Sequence, residues 1–445
     1  MKHHEEDQAP VRSVAGHAIG PSAPASEPNR RQAIVGLAST VGAAAHLRAA
    51  PHTTLTVAAY PLIDEIVRSA LPRWRARHPN VDVQVISRQY GDHHTAMTTA
   101  LSTSVYLPDV MALEASYVGR FSQGAGLEDL SQAPYRVEEL APRFVPYAYE
   151  QTLNRRRERV AVPTDIGPGT MLYRQDLLAK AGLTADDLTP SWETYVAAGR
   201  RIKAATGAYL IGNAQSVKDI VIRSGLKPGE GLYFDKDSRV LVNSPRFMRA
   251  FELARQVRRD KLDAKVNAWS NEWAEGFRRG SIATDLTGAW MVGQMANWVA
   301  PTTKGLWRAS QLPENTFVGY GGTFYAIPRR ATAAHKPLAW EFIQLLTLEA
   351  DLQLAAFKSQ DAFPALVSTH QDPFFEQPVN FLGGQTARVL WRDAAQRITA
   401  TQVHKQSNFA DEVVGTELDN VLDRGKDIGR ALSDAQRLLE RRAHR

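Results

Sequence analysis

Residues 55–86 read LTVAAYPLIDEIVRSALPRWRARHPNVDVQVI, and this stretch decides the fold class. Leu55 to Tyr60 is a short apolar and β-branched run, the composition of a strand. From Pro61 to His78 the apolar residues fall at Ile63, Ile66, Val67, Ala70, Leu71 and Trp74, a spacing that gives one helical face. Pro79-Asn80 breaks the helix, and Val81 to Ile86 alternates apolar and polar side chains as a second strand. Working outward, residues 92–104 make another amphipathic helix, Pro108 stops it, and Asp109 to Leu113 is a third strand. The order strand, helix, strand, helix, strand predicts an open, mostly parallel sheet with helices on its faces. Ligands of such sheets sit beyond the carboxyl ends of the strands. Those ends are Tyr60, the 87–90 segment with Tyr90, and Glu114.

Further along, Val160 to Pro163 predicts a strand that runs into a glycine- and proline-bounded loop, Thr164 to Gly169, and then a strand Thr170 to Tyr173. Helices dominate from 176 to about 280, including 193–205 and 246–260. Ser281 to Leu286 returns to strand character, Gly319 to Ile327 is a strand with a glycine break, and the remainder reads as mainly helical. A chain of 445 residues is too long for one compact core and suits two lobes.

Composition narrows the function. The net charge of +6 comes from 53 basic residues nearly matched by 47 acidic ones. The local runs, Arg155 to Arg157 and Arg441-Arg442, lie in strongly charged stretches that read as solvated faces, so no nucleic-acid partner is expected. Cysteine is absent, which excludes disulfides, thiolate metal sites and a lipid-anchoring cysteine. His93 and His94 are adjacent, so their side chains diverge, and no H-E-x-x-H set exists; no metal and no cofactor are expected. There is no G-x-S-x-G, P-loop or dinucleotide fingerprint, and the chain does not read as an enzyme.

The N-terminus reads as an address. Residues 1–29 are polar and proline-punctuated, and Arg30-Arg31 precedes a weakly apolar run from Ala33 to Ala45 ending in three alanines. That resembles a twin-arginine export signal, and the run is well short of the roughly 20 residues that span a bilayer. Residues 1–50 are expected to form an export leader with a disordered tail, giving a periplasmic protein; an Ala-rich buried helix after a tail is the alternative.

Several stretches in one order carry a family resemblance. They include His78-Pro79-Asn80-Val81, Leu107-Pro108-Asp109-Val110, Gly124 to Leu130, Arg159 to Pro163, and Met171 to Arg174 followed by Asp176-Leu177 and Ala181-Gly182-Leu183. Ser191-Trp192-Glu193, Phe277 to Gly280, Gly288-Ala289-Trp290, Ala339 to Ile343 and Phe363-Pro364-Ala365 complete the series. In this order the chain resembles family 1 of bacterial extracellular solute-binding proteins, the maltose-binding-protein-like subunits of carbohydrate ABC importers. The resemblance covers residues 53–440 and implies a periplasmic-binding-protein-like α/β fold: two lobes, several hinge crossings and a ligand cleft between them. Crossings are expected near Ala161-Val162-Pro163, Ala283-Thr284-Asp285 and Pro328-Arg329. Lobe one would hold 53–162 plus 284–328, and lobe two 163–283 plus 329–445.

The implied function is capture of a sugar or oligosaccharide for delivery to a membrane permease, by a monomer without catalysis. A sugar offers hydroxyls at its rim and weakly apolar faces, so its complement is an aromatic plate with carboxylates at the edge. Asp165 leads the candidates because it follows the Pro163 crossing where the resemblance places an acid; a turn Asp before Gly-Pro is the other reading. Trp290 stands at the family's G-x-W position, for stacking or for packing at a helix start. Tyr60, Glu114 and Tyr90 end strands at the cleft lip, and Gly321 and Gly322 would let backbone approach a ligand or form a β-bulge. Trp269 and Trp273 are four apart and share a face if helical; Trp269 is taken as the ligand candidate, although a core pair is the commoner outcome. Two alternatives stand: a binding protein for a polyamine, ferric ion or other small polar solute, and a glycan-acting enzyme with Glu114 and Asp165 facing each other across the cleft.

Overall fold

Period-two alternation in neighbouring strands sorts the apolar side chains into two layers. The computed structural model describes residues 52–443 apart from 123, 228, 229 and 402. The expected export leader lies outside the described residues. Among them the strands are β1 (Thr53–Ala59), β2 (Val81–Ser87), β3 (Val110–Glu114), β4 (Val162–Arg174), β5 (Thr284–Gly288), β6 (Trp307–Ser310), β7 (Gly319–Ala326) and β8 (Phe363–Pro364). They join in the order β2-β1-β3-β7-β4-β5, with β6 and β8 also paired to β4. The β1–β2 and β1–β3 pairs are parallel, and β7 is antiparallel to both β3 and β4.

Leu55, Val57 and Ala59 of β1, Val110 and Ala112 of β3, and Tyr325 of β7 face one core. The intervening Ala58, Met111, Leu113, Phe324 and Ala326 face a smaller core with Met97 and Phe121. This is the pattern of a central sheet buried on both sides. The helix Ile63–Arg77 covers the first face with Ile63, Val67, Ala70 and Trp74. Asp64 and Glu65 in its first turn and Arg75 and Arg77 in its last complement the helix dipole. Trp74 meets Phe342 edge-on, with ring centroids 5.1 Å apart.

That contact redraws the expected division of the chain. The helices Lys336–Leu348 and Ala350–Gln360 pack on Ile63–Arg77, beside the β1–β3 sheet, rather than with the second lobe assigned to 329–445. Conversely β5, assigned to lobe one, pairs with the far half of β4. A second core gathers the helices Trp192–Thr206, Ala214–Val221, Pro245–Arg259, Ser407–Arg424 and Ile428–Ala443 around Trp192, Tyr195, Phe247 and Phe251.

One strand ties the two halves together. The expected loop at Thr164–Gly169 is instead continuous strand, because β7 and β8 satisfy its backbone on both edges. β4 pairs with β7 from Val162 to Pro168 and then with β5 from Gly169 to Tyr173. Register shifts on either side of Asp165-Ile166 accommodate Pro168, which cannot donate to a regular ladder. Gly167 must lack a side chain here: a Cβ would fall 2.0 Å from the Tyr320 carbonyl oxygen.

Candidate functional site

At the carboxyl ends of β1 and β3, between the sheet and the helical second core, lies a cleft of about 2400 Å³. Its wall includes all eight residues singled out from the sequence: Tyr60, Tyr90, Glu114, Asp165, Trp269, Trp290, Gly321 and Gly322. The geometry differs among them, and it assigns them different work.

Glu114 and Asp165 share one wall rather than facing each other across the cleft. Both are paired with Thr323, one from β3 and one from β4, with β7 running between them. Burial pushes the Asp165 carboxyl up to about 6; the Thr323 hydroxyl opposes that shift and the Glu114 charge adds to it. Its Oδ1 is buried and makes no hydrogen bond within the described residues. Burial also raises the Glu114 carboxyl, against hydrogen bonds from Ser116 and Tyr90. The Ser116 amide donates to Glu114 Oε2 at 2.9 Å, so Glu114 caps the helix Ala115–Phe121. Tyr90 donates its hydroxyl to the same oxygen at 3.1 Å and is 43% exposed.

Tyr60 is buried, and its hydroxyl lies 2.8 Å from Thr323 Oγ1, so the ring supports the wall more than it presents itself. His93 and His94 stand behind it with ring planes at 90°. His94 Nδ1 lies 2.8 Å from the Tyr90 carbonyl while Nε2 receives the Glu114 amide at 3.2 Å, which fixes a neutral tautomer. Burial lowers the His94 pKa to about 4.

The opposite part of the wall is aromatic. Trp269 does not share a helix with Trp273. It sits at φ 70°, one residue before the cap Ser270, whose hydroxyl accepts the Trp273 amide at 3.1 Å. A bulky residue at positive φ is uncommon and costs on the order of 1 kcal/mol, and such strain gathers at functional sites. The rings stay in contact, with centroids 5.3 Å apart, but differ in exposure: Trp273 enters the core at 4% while Trp269 projects at 52%. Its indole plane lies 14° from that of Trp290 and 25° from that of Trp298, with centroids 5.9 and 5.8 Å away. The three rings form one aromatic platform. Trp290 is fixed by donating Nε1–H to the Tyr320 carbonyl at 2.8 Å.

Gly321 and Gly322, at φ 87° and 119°, make room for this arrangement. A Cβ on Gly321 would lie 3.0 Å from Trp290 Nε1, and one on Gly322 would lie 2.9 Å from the Asp165 carbonyl oxygen. The close approach they permit is therefore made first by the protein's own atoms.

Trp298, 51% exposed, and Arg223 on the second-core side line the cleft as well, beyond the residues named from the sequence. The signal for Trp298 was available: Trp290, Gln294 and Trp298 recur every four residues, one face of a helical turn, and Trp298 donates to Gln294 Oε1 at 2.5 Å. Among the described residues no group of three or more His, Asp or Glu side chains is placed to hold a metal ion. The wall thus combines a flat apolar plate with a buried acceptor, Asp165 Oδ1, that has no partner among the described residues.

Comparison with known proteins gives the chain a lineage. The chain is similar to the lactose-binding protein of Rhizobium radiobacter, 23% identical over 391 residues, covering 80% of this chain and 87% of the relative. A solved structure described as extracellular solute-binding protein family 1 superposes with a TM-score of 0.77 at 24% identity, covering 88% of this chain and 100% of that one. The ABC-transporter-associated binding protein of B. animalis subsp. lactis Bl-04, in complex with β-1,6-galactobiose, superposes at 0.73 with 19% identity, covering 88% and 98%. These likenesses show a periplasmic-binding-protein-like fold of two α/β lobes with the cleft between them. The model for bacterial extracellular solute-binding proteins matches residues 55–352, and the chain belongs to that family.

Proposed function

We propose that the protein is the substrate-binding subunit of a carbohydrate ABC importer, which captures a sugar or oligosaccharide in the cleft and presents it to a membrane permease. The observation that carries this reading is the Trp290–Trp269–Trp298 platform set in one cleft with the carboxylates of Asp165 and Glu114. Stacked indoles match the C–H faces of a pyranose, and buried carboxylates accept hydrogen bonds from paired hydroxyls. The lactose-binding relative supports the ligand class. The protein acts by binding, as a monomer, without turning its ligand over. Glu114 is committed to capping a helix and to Tyr90, which leaves it poorly placed as a glycosidase acid or base.

In this reading the lobes hinge where β4 changes partners, Ile166 to Gly169. They meet again where Gly119 packs on Val403, with room for no Cβ, and where Arg155 reaches Ser238 Oγ at 2.5 Å. Ligand bridging both lobes stabilises the closed state. Export follows the twin-arginine route, and changing Arg30 and Arg31 together to lysine should leave the protein in the cytoplasm; undiminished export would remove that route.

Thermal melting against panels of oligosaccharides, polyamines, amino acids and ferric salts tests the ligand class. Stabilisation by at least one saccharide is expected. Stabilisation by another class, with no response to any saccharide, overturns the reading.

A further inference from the structure

Charged side chains line both walls of the cleft. The acids Asp165 and Glu114 lie on the strand side, and Arg223, just beyond the helix Ala214–Val221, lines the cleft from the second-core side with Asp411 and Glu412. One guanidinium nitrogen closes that helix on the Asp219 carbonyl, and the guanidinium carbon lies 5.5 Å from the centroid of the Tyr320 ring. Among the described residues no carboxylate approaches Arg223 within the 4.0 Å of an ion pair. Asp219 and Asp411 act on Arg223 through space without pairing with it, and each nearby acid has a contact of its own. Asp219 contacts Lys218, Asp411 accepts the Tyr233 hydroxyl at 2.5 Å, and Glu114 accepts from Ser116 and Tyr90. A guanidinium cannot discharge itself by losing a proton, so one that faces a cleft takes an anion or water on its remaining donors. The forked geometry suits a carboxylate held by two parallel hydrogen bonds.

We infer that Arg223, seated over Tyr320, is a subsite for an anionic substituent of the saccharide, the carboxylate of a uronic acid unit, so that the protein prefers acidic oligosaccharides to neutral ones. The inference rests on the saccharide reading and sharpens it. A sugar lying on the tryptophans would turn hydroxyls toward Asp165 and direct its acid to the opposite wall.

Matched pairs test this by isothermal titration of the full mature chain: galactobiose with digalacturonic acid, cellobiose with cellobiouronic acid, and xylobiose with its glucuronosyl derivative. At least one acidic member should bind about tenfold or more tightly than its neutral counterpart. The preference should weaken as salt rises. Arg223→Gln should bring the ratio of acidic to neutral affinity toward one, and Arg223→Lys should restore part of it. Melting of the ligand-free variants separates loss of the subsite from loss of the fold, and the wild-type comparison stands without either variant. Equal or tighter binding of the neutral members overturns the inference and leaves the saccharide reading in place. Binding of neither member of any pair, together with no saccharide response in melting, removes both.

Discussion

Replacing Trp269 with alanine removes the middle plate of the aromatic platform and should cost affinity rather than stability. A tryptophan side chain offers about 200 Å² of surface, and at 52% exposure roughly half of it remains open to the cleft. A saccharide covering most of that area would bury about 50–100 Å². At about 25 cal/mol per Å² this gives about 1.3–2.5 kcal/mol, or about 10- to 70-fold in the dissociation constant. The fold should lose little, because the ring is outside the core and alanine is no worse than tryptophan at positive φ. Trp273→Ala supplies the contrast: at 4% exposure, against Phe277 at 4.7 Å, its loss should destabilise the fold by about 3–5 kcal/mol. Titration calorimetry with the saccharide found in the melting panel, beside denaturant unfolding of both variants, reads the two effects separately. An unchanged dissociation constant for Trp269→Ala, or a stability loss as large as that of Trp273→Ala, would refute the assignment of Trp269 to the ligand.

Three other changes have defined outcomes. Asp165→Ala should weaken saccharide binding by about 1–3 kcal/mol by stranding the ligand hydroxyls it accepts, and calorimetry giving a wild-type constant would take Asp165 out of the site. Gly288→Ala would place a Cβ 2.3 Å from Trp290 Nε1 and 2.7 Å from the Tyr320 oxygen, so the indole must leave its hydrogen bond. Affinity should fall at least as far as for Trp269→Ala, and near-native binding would show that the position of Trp290 does not matter. Asp285 is buried on β5 with Oδ2 lacking a partner, and burial holds its carboxyl at about 7 against an ordinary value of 3.8. The folded state then holds a proton that the unfolded state has released, so stability falls as pH rises from about 4 through 7. Asp285→Asn should raise the melting temperature over wild type increasingly from pH 5 to pH 8, and a difference constant with pH contradicts the assignment of that loss to Asp285.

The sheet was legible because its signal is local. Alternation in Val81 to Ile86 and the 3–4 spacing from Ile63 to Trp74 state which faces are buried, and the described strands and helix match them within a residue or two. Legibility failed where a distant partner decides the conformation. Thr164 to Gly169 carries two glycines and a proline and reads as a loop, yet β7 and β8, whose strands lie about 150–200 residues away, hold it in a ladder. The helix Lys336–Leu348 announces its own apolar face but not the surface that accepts it, the helix Ile63–Arg77. Trp269 and Trp273 look alike by spacing. Ser270 as a cap divides them, and a single Ser among polar neighbours is a faint signal for a turn that decides which indole meets solvent. The candidate residues could be named from strand ends and motif positions. Their roles depended on who satisfies whom, as with Tyr60 bonded inward to Thr323 and Tyr90 holding Glu114.

A saccharide bound between the lobes should lie on the tryptophan platform. A crystal structure with the saccharide that most raises the melting temperature tests it most directly. A sugar ring is expected against Trp290, Trp269 or Trp298, with a hydroxyl within about 3.2 Å of Asp165 Oδ1. Density for the ligand outside this cleft, or within it but away from all three indoles and Asp165, would contradict it.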